Sequence, residues 1–339
     1  MTSEQARIRN AEILKSFRRM TEYAEQQKIR LVLIAGDLFD RERITQRTVE
    51  GVLDAVRSTP QIDYLYVSGN HDDKTHAFVD QDVPQNFKSF TDQWSTFVYG
   101  DVAVSGIEIT KASAARLYEQ LPAQKSKVNI VMLHGQISTA CEVDQVNLNL
   151  LKGKNIQYLA LGHIHTYICE QLDRDGIYCY PGCLEGRGFD ECGEKGFVVL
   201  DTAARKLEPE FVPFSTRQLH RVKVDITGAS TNSAVYQEMK KAAQQISERD
   251  MVEFILTGAA DPSARIAKKY LYNLAKDDFF FIKIKDETKL VLDPKDYEKD
   301  VSLKGEFVRL VMASDASEED KVKIIRTGLE ALTGEEVTV

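Results

Sequence analysis

Four short apolar runs in this 339-residue chain each stop on a polar residue, and that recurrence limits the fold more than any other feature of the sequence. The first, Leu31 to Ala35, runs into Gly36 and Asp37. The second, Asp63 to Val67, is followed by Ser68-Gly69-Asn70-His71-Asp72. Val128 to Leu133 ends in His134-Gly135, and Tyr158 to Leu161 ends in Gly162-His163-Ile164-His165. Runs of this length are too short for buried helices and read as buried parallel strands. In open α/β sheets the loops at the carboxyl ends of such strands converge on one crevice, so residues far apart in sequence meet there.

The intervening segments agree with an α/β order. Ile13, Phe17, Met20 and Ala24 recur at helical spacing, and Thr2 with Gln5 has the pattern of a capping box, which predicts a helix over 3–27. A second helix is expected over 45–58. Past His165 the pattern turns to hairpins, 167–172 with 177–180 and 196–201 with 207–212. From His220 the chain alternates strand 221–226, helix 232–247, strand 251–256, helix 262–276 and strand 279–284, then helices near 303–313 and 317–332. The expected domains are therefore 1–215 and 216–339, the second a small α+β unit.

Composition removes several classes. No apolar run reaches the roughly 18 residues that a bilayer-spanning helix needs, and residues 1–20 carry no secretory signal, so the expectation is a cytoplasmic protein without membrane insertion. Five cysteines without a CxxC pair argue against a disulfide framework. A net charge of −8 gives no global attraction to nucleic acid, so any such contact must be local.

Asp37, Asn70, His134, His163 and His165 offer a mixture of carboxylate, amide oxygen and imidazole. Such N/O sets favour Mn²⁺, Fe or Zn²⁺ over Ca²⁺ or Mg²⁺. A carboxylate can bridge two cations, and a two-metal site polarises phosphoryl oxygens for in-line displacement, which makes phosphoester hydrolysis the natural chemistry. Singly, Asp37 and Asn70 read as turn residues and His134 or His163 as structural histidines. Four of the six histidines fall in these strand-end motifs, and that joint pattern overrides the single readings.

Gly36-Asp37-Leu38-Phe39-Asp40, Gly69-Asn70-His71-Asp72, Leu133-His134-Gly135 and Gly162-His163-Ile164-His165 together resemble the successive motifs of the calcineurin-like metallophosphoesterases. Tyr180-Pro181-Gly182-Cys183-Leu184-Glu185 and Glu194-Lys195-Gly196-Phe197-Val198 are similar to the closing segment of SbcD-type DNA repair exonucleases, the counterparts of the eukaryotic meiotic-recombination-eleven nuclease. The resemblance covers about 6–213. It implies a β-sandwich flanked by helices, with the small α+β domain as a cap. It also implies two divalent metal ions, Mn²⁺ ahead of Fe or Zn²⁺, with Asp37 bridging, Asn70, His134 and His163 on one ion and His165 on the other. His71 would protonate the leaving oxygen or stabilise the transition state, and Asp72 would orient it.

The family's opening strand, ending in Asp-x-His, has no match in this chain, so one ion or none is expected here, with impaired activity. Truncation of a longer chain is favoured over natural loss of those ligands. The resemblance further implies DNA ends or single-strand/duplex junctions as substrate, an SMC-like ATPase partner and a homodimer. Arg187, between two glycines, is a candidate DNA contact, while Lys240, Lys241, Arg265, Lys268 and Lys269 read first as a solvated helix face. The alternatives are a phosphodiesterase or phosphatase for a small ester, and a non-catalytic DNA-binding or scaffold subunit.

Overall fold

The computed structural model describes residues 1–39, 45–70, 72, 78, 81–114, 116–125, 127–203, 207–260, 266–290, 297 and 300–332. They divide into two compact units, Met1–Gln218 and Leu219–Val339.

The first unit begins with helix α1 (Ser3–Gln26), whose start is fixed by the capping box: the Thr2 hydroxyl accepts from Gln5 N and the Gln5 side chain accepts from Thr2 N. Strand β1 (Leu31–Ala35) follows, then α2 (Gln46–Arg57), β2 (Asp63–Val67), β3 (Phe87–Ser89), β4 (Ser95–Tyr99), β5 (Val102–Gly106) and β6 (Val128–His134). Two-residue strands β7 (Gln136–Ile137) and β8 (Gln145–Val146) pair with each other. The unit continues with β9 (Tyr158–Gly162), β10 (Ile168–Gln171), β11 (Ile177–Tyr180), β12 (Gly196–Leu200) and β13 (Pro209–Pro213). Its strands form a parallel sheet ordered β1-β2-β3 and a six-stranded sheet ordered β10-β11-β9-β6-β5-β4.

Alternation along the strands shows how the layers stack. On β2, Leu65 and Val67 share a core with Ile130 and Met132 of β6 and Tyr158 and Ala160 of β9, so the two sheets pack face to face. Tyr64 and Tyr66 point the opposite way, into a core with Phe17, Met20 and Ala24 of α1 and Val52, Leu53 and Val56 of α2. Val131, Leu133, Leu159 and Leu161 face a third core with Leu117, Tyr118 and Leu151. This is a helix-flanked β-sandwich, the architecture that the sequence resemblance implies. The strand ends that carry the polar residues therefore come from two sheets and not from one open sheet. β1 has only β2 as a strand neighbour among the described residues, which leaves its side chains half-buried instead of fully enclosed.

The buried face of α1 also departs from the apolar spacing. Ile13 is exposed, while Arg9, Glu12 and Ser16 are buried. They are turned inward by polar partners distant in sequence. Arg9 Nη1 lies 2.7 Å from Glu185 Oε2 and 3.3 Å from Glu12 Oε2, Ser16 Oγ donates to Glu185 Oε1 at 2.6 Å, and Arg217 Nη2 pairs with Glu12 at 2.7 Å. All five cysteines are free.

The second unit pairs β14 (Leu219–Asp225), β15 (Met251–Thr257) and β17 (Phe281–Asp286) as a parallel sheet in the order β14-β15-β17, with a small pair formed by β16 (Ala259–Ala260) and β18 (Lys289–Leu290). Helices α3 (Asn232–Ala242) and α4 (Lys268–Ala275) cover one face, where Val235, Met239 and Leu271 meet Val252, Phe254 and Leu256. α3 stops short of the expected Ser247: Ala243 leaves helical geometry at φ −104°, and Ile246 N turns back to Ala243 O. The expected first turns of the 262–276 helix lie partly outside the described residues, as does Arg265. α5 (Leu303–Met312) and α6 (Glu318–Leu332) pack through Val308, Ile325 and Leu329. Among the described residues no helix is long and apolar enough to cross a membrane.

Removing one partner of a buried ion pair leaves the other charged and enclosed, at a cost of about 3–5 kcal/mol. Arg9→Met should therefore lower unfolding free energy by that amount, read as a reduced urea midpoint. A wild-type midpoint would show that the Arg9 and Glu185 charges do not stabilise one another.

Candidate metal centre

The sandwich brings the ends of β1, β2, β6 and β9 to one edge, and three glycines let them approach. A Cβ on Gly162 would lie 1.5 Å from Ala35 O, one on Gly36 would lie 2.1 Å from His134 Nδ1, and one on Gly69 would lie 2.3 Å from Asp37 Oδ1. Any side chain at these positions would push apart the loops that carry the polar residues. Two of those residues also sit in backbone regions that L-residues seldom occupy, Asp37 at φ 52° and His163 at φ 99°. Aspartate tolerates the left-handed region, whereas the His163 conformation costs on the order of 1–3 kcal/mol and persists only because surrounding structure holds it.

The structure gathers Asp37, His134 and His163 so that one donor atom from each lies within 4.8 Å of the others. Asn70 completes the group: its Oδ1 is 3.0 Å from His134 Nε2 and 3.3 Å from His163 Nδ1. His134 is nearly enclosed, 3% exposed, with its ring 5.3 Å from that of His163 in an edge-on arrangement. Burial and then the neighbouring His134 hold the His163 pKa below its ordinary value, against the raising effect of Asp37. A neutral imidazole is the form that ligates a metal.

The tautomer of His134 tests whether this donor set fits a cation. Its Nδ1 is 2.9 Å from Ala35 O, a carbonyl that can only accept, so Nδ1 carries the proton. In the neutral ring Nε2 then presents a lone pair toward Asn70 Oδ1 and, at 3.6 Å, toward Asp37 Oδ2. Three acceptors facing one another repel unless a positive charge sits among them. The residues therefore fit a divalent cation, which Asp37, Asn70, His134 and His163 would hold, and the backbone carbonyl fixing His134 is the arrangement that metal-ligating histidines commonly show.

Asp72 is buried beneath these loops and does not join them as a donor. Its carboxylate accepts from Gly69 N at 2.9 Å, Phe39 N at 2.8 Å and Leu38 N at 3.3 Å, which clips the loop after β1 to the loop after β2. Burial raises its pKa, and the Gly69 and Phe39 amides pull the other way. His71, its expected partner, lies outside the described residues, as do Asp40 and His76. His220 belongs to the second unit, where it pairs with Asp250 at 2.9 Å.

His165 is not in the group around Asp37. Its Nδ1 lies 2.6 Å from Glu191 Oε1, and its carbonyl accepts from the buried Lys195 Nζ at 2.6 Å. Burial would raise the Glu191 pKa, but the hydrogen bonds from His165 and from Arg187 N hold it at about 2. Arg187 itself projects from the loop, 44% exposed, with Nε 3.8 Å from Glu191 Oε1. Glu191 and Lys195 were not singled out as site residues in the sequence, because neither sits at the end of an apolar strand and the loop between them has no periodicity.

Residues 10–167 match the calcineurin-like phosphoesterase family and form a calcineurin-like metallophosphoesterase domain. Two curated relatives extend the likeness beyond that span. An uncharacterized metallophosphoesterase, YhaO, of Bacillus subtilis is 25% identical over 273 residues, covering 75% of this chain and 66% of its own length. The DNA double-strand break repair protein Mre11 of Aeropyrum pernix is 25% identical over 267 residues, covering 70% of this chain and 64% of its own. The chain thus spans about two thirds of the length of the curated relatives it matches. A solved dimetal phosphatase from Danio rerio aligns over 55% of this chain and 82% of its own, at 10% identity and a TM-score of 0.39.

The glycine contacts make a direct forecast. Gly69→Ala should displace Asp37 and His134 and weaken divalent-cation binding about tenfold or more, within the roughly 10–100-fold losses seen when ligand supports are removed. Isothermal titration with Mn²⁺ on protein of unchanged circular dichroism would measure it; unaltered affinity would mean that these loops do not form the cation site.

Proposed function

We propose that the first unit is a metal-dependent phosphodiesterase of the nuclease type, acting on DNA ends or on junctions of single-stranded and duplex DNA. The observation that carries this reading is the set of converging acceptors at Asp37, Asn70, His134 and His163, which fits a cation among residues that loop geometry already holds in place. A bound metal supplies Lewis acidity toward a phosphoryl oxygen. The chain's own residues would supply the rest: Asp37 the carboxylate, Asn70 the neutral oxygen and His134 and His163 the imidazoles that would hold one ion, with His165 a ligand for a second where the family's full set is present. Mn²⁺ is the favoured metal, ahead of Fe and Zn²⁺. His71 would protonate the leaving oxygen or stabilise the transition state, with Asp72 orienting it.

Mre11 relatives, named as DNA double-strand break repair proteins, support DNA over a small ester, as do the motifs around Tyr180 to Val198. In this reading Arg187, exposed between Gly186 and Gly188, meets a DNA phosphate, and an SMC-like ATPase and a second copy of the chain are the protein partners, in the cytoplasm. Phe17 and Met20 of α1 are buried in the first unit's own core, so a dimer would use other surfaces.

The test is a substrate panel of linear duplex DNA, single strands, p-nitrophenyl esters and cyclic nucleotides with Mn²⁺. Cleavage of DNA is the expected result, and hydrolysis of small esters without DNA cleavage would replace the nuclease by a phosphatase or phosphodiesterase. His134→Ala should lower turnover at least a hundredfold, equivalent to about 2.7 kcal/mol or more of transition-state stabilisation. Cation binding should fall with it. DNA binding that survives in a protein with neither bound metal nor turnover would instead indicate a scaffold subunit.

A further inference from the structure

The loop from Glu185 to Glu191 is held by a carboxylate at each end. Glu185 accepts from Arg9 Nη1 at 2.7 Å, Ser16 Oγ at 2.6 Å and Thr216 N at 2.6 Å, and is itself 4% exposed. Arg9 Nη2 also donates to Gly186 O at 2.6 Å, which fixes the first peptide of the loop against α1. The loop then closes on itself, with Glu191 N bonded to Gly188 O and Cys192 Sγ to Phe189 O. At the far end Glu191 Oε2 accepts from Arg187 N at 2.7 Å, leaving Oε1 aimed at His165 Nδ1 at 2.6 Å. Lys195 Nζ meanwhile bonds the carbonyl of the same histidine, so His165 is gripped at ring and backbone by one segment.

We propose that Glu191 is the positioning residue for His165: its carboxylate, set by the Arg187 amide and the anchored loop, fixes the ring orientation and keeps the proton on Nδ1, so that Nε2 is the nitrogen offered to a cation. A carboxylate can only accept from this ring, and in the neutral imidazole the opposite nitrogen then keeps its lone pair. His134 reaches the same tautomer through the Ala35 carbonyl. The two histidines thus obtain one protonation pattern from two different supports, one from a strand and one from a loop. The role of Nε2 as a ligand rests on the metal-dependent reading above, whereas the hold on the ring does not.

Nitrogen-15 NMR of histidine-labelled, metal-free full-length protein separates the two. The His165 signal, assigned by its loss in His165→Gln, should report the Nδ1-protonated tautomer in the wild type. Glu191→Ala should shift it toward the Nε2-protonated form. Glu191→Asp, which keeps one acceptor oxygen for Nδ1 and one for Arg187 N, should retain the wild-type tautomer more fully than Glu191→Ala, a rescue that a role confined to loop packing would not require. Mn²⁺ titration followed by electron paramagnetic resonance should show a loss of about 10–100-fold in Mn²⁺ affinity for Glu191→Ala, with Glu191→Asp closer to wild type. An unchanged tautomer in Glu191→Ala, or a changed tautomer with unaltered Mn²⁺ affinity, overturns the proposal. Wild-type protein that binds no Mn²⁺ but shows the tautomer difference overturns the metal-dependent reading and sustains the hold of Glu191 on the ring.

Discussion

The close approach of β9 to β1 is the constraint on which the candidate metal centre depends. Gly162 lies against the Ala35 carbonyl at a distance that excludes any Cβ, and the same carbonyl holds His134 Nδ1. One backbone atom therefore sets both the spacing of the two sheets and the tautomer of a central histidine. Gly36 and Gly69 extend the same condition to the loops carrying Asp37 and Asn70. Had the four strand ends been joined through ordinary side chains, their donors would stand too far apart to share a cation.

Charge is handled differently in the two halves of the site. Around Asp37, Asn70, His134 and His163 the groups are acceptors that face one another, an arrangement whose repulsion is relieved by a cation. Around His165 the balance is internal, because Glu191 receives the imidazole and the Arg187 amide, and its pKa falls to about 2 despite burial. Asp72 lies between these extremes: burial raises its pKa, while backbone amides from two loops compensate its charge in part. Its structural effect is to tie those loops together, so its removal would loosen Asp37 and Asn70 at once.

The strand ends were legible because a buried strand leaves an unbroken apolar run, and a polar residue at its end has few reasons to be there. β2 falls on the expected residues, and the capping box of α1 is formed by the residues that announce it, Thr2 and Gln5. Strands β3 to β5 gave a weaker signal: β3 has three residues, and β4 mixes serine and threonine with its aromatic residues. The Gly100-Asp101 turn between β4 and β5, with Gly100 at φ 57°, is a hairpin mark that the sequence does carry. Ile13 misled for a physical reason, since helical spacing ranks apolar side chains and cannot see that Glu185 and Arg217 would draw Arg9, Glu12 and Ser16 inward. Glu191 and Lys195 owe their places to tertiary contacts alone.

The ionic seam on α1 bears on how the unit assembles during synthesis. Arg9 and Glu185 are separated by 176 positions, and Glu12 and Arg217 by 205. The apolar side of α1 can settle on α2 early, but apart from the local Arg9–Glu12 pair the charged side lacks its partners Glu185 and Arg217 until residues 185–217 have been made. Contacts of such long range close late. The segment that grips His165 cannot be anchored to α1 before Glu185 and Gly186 are made, so the candidate site is completed late in synthesis.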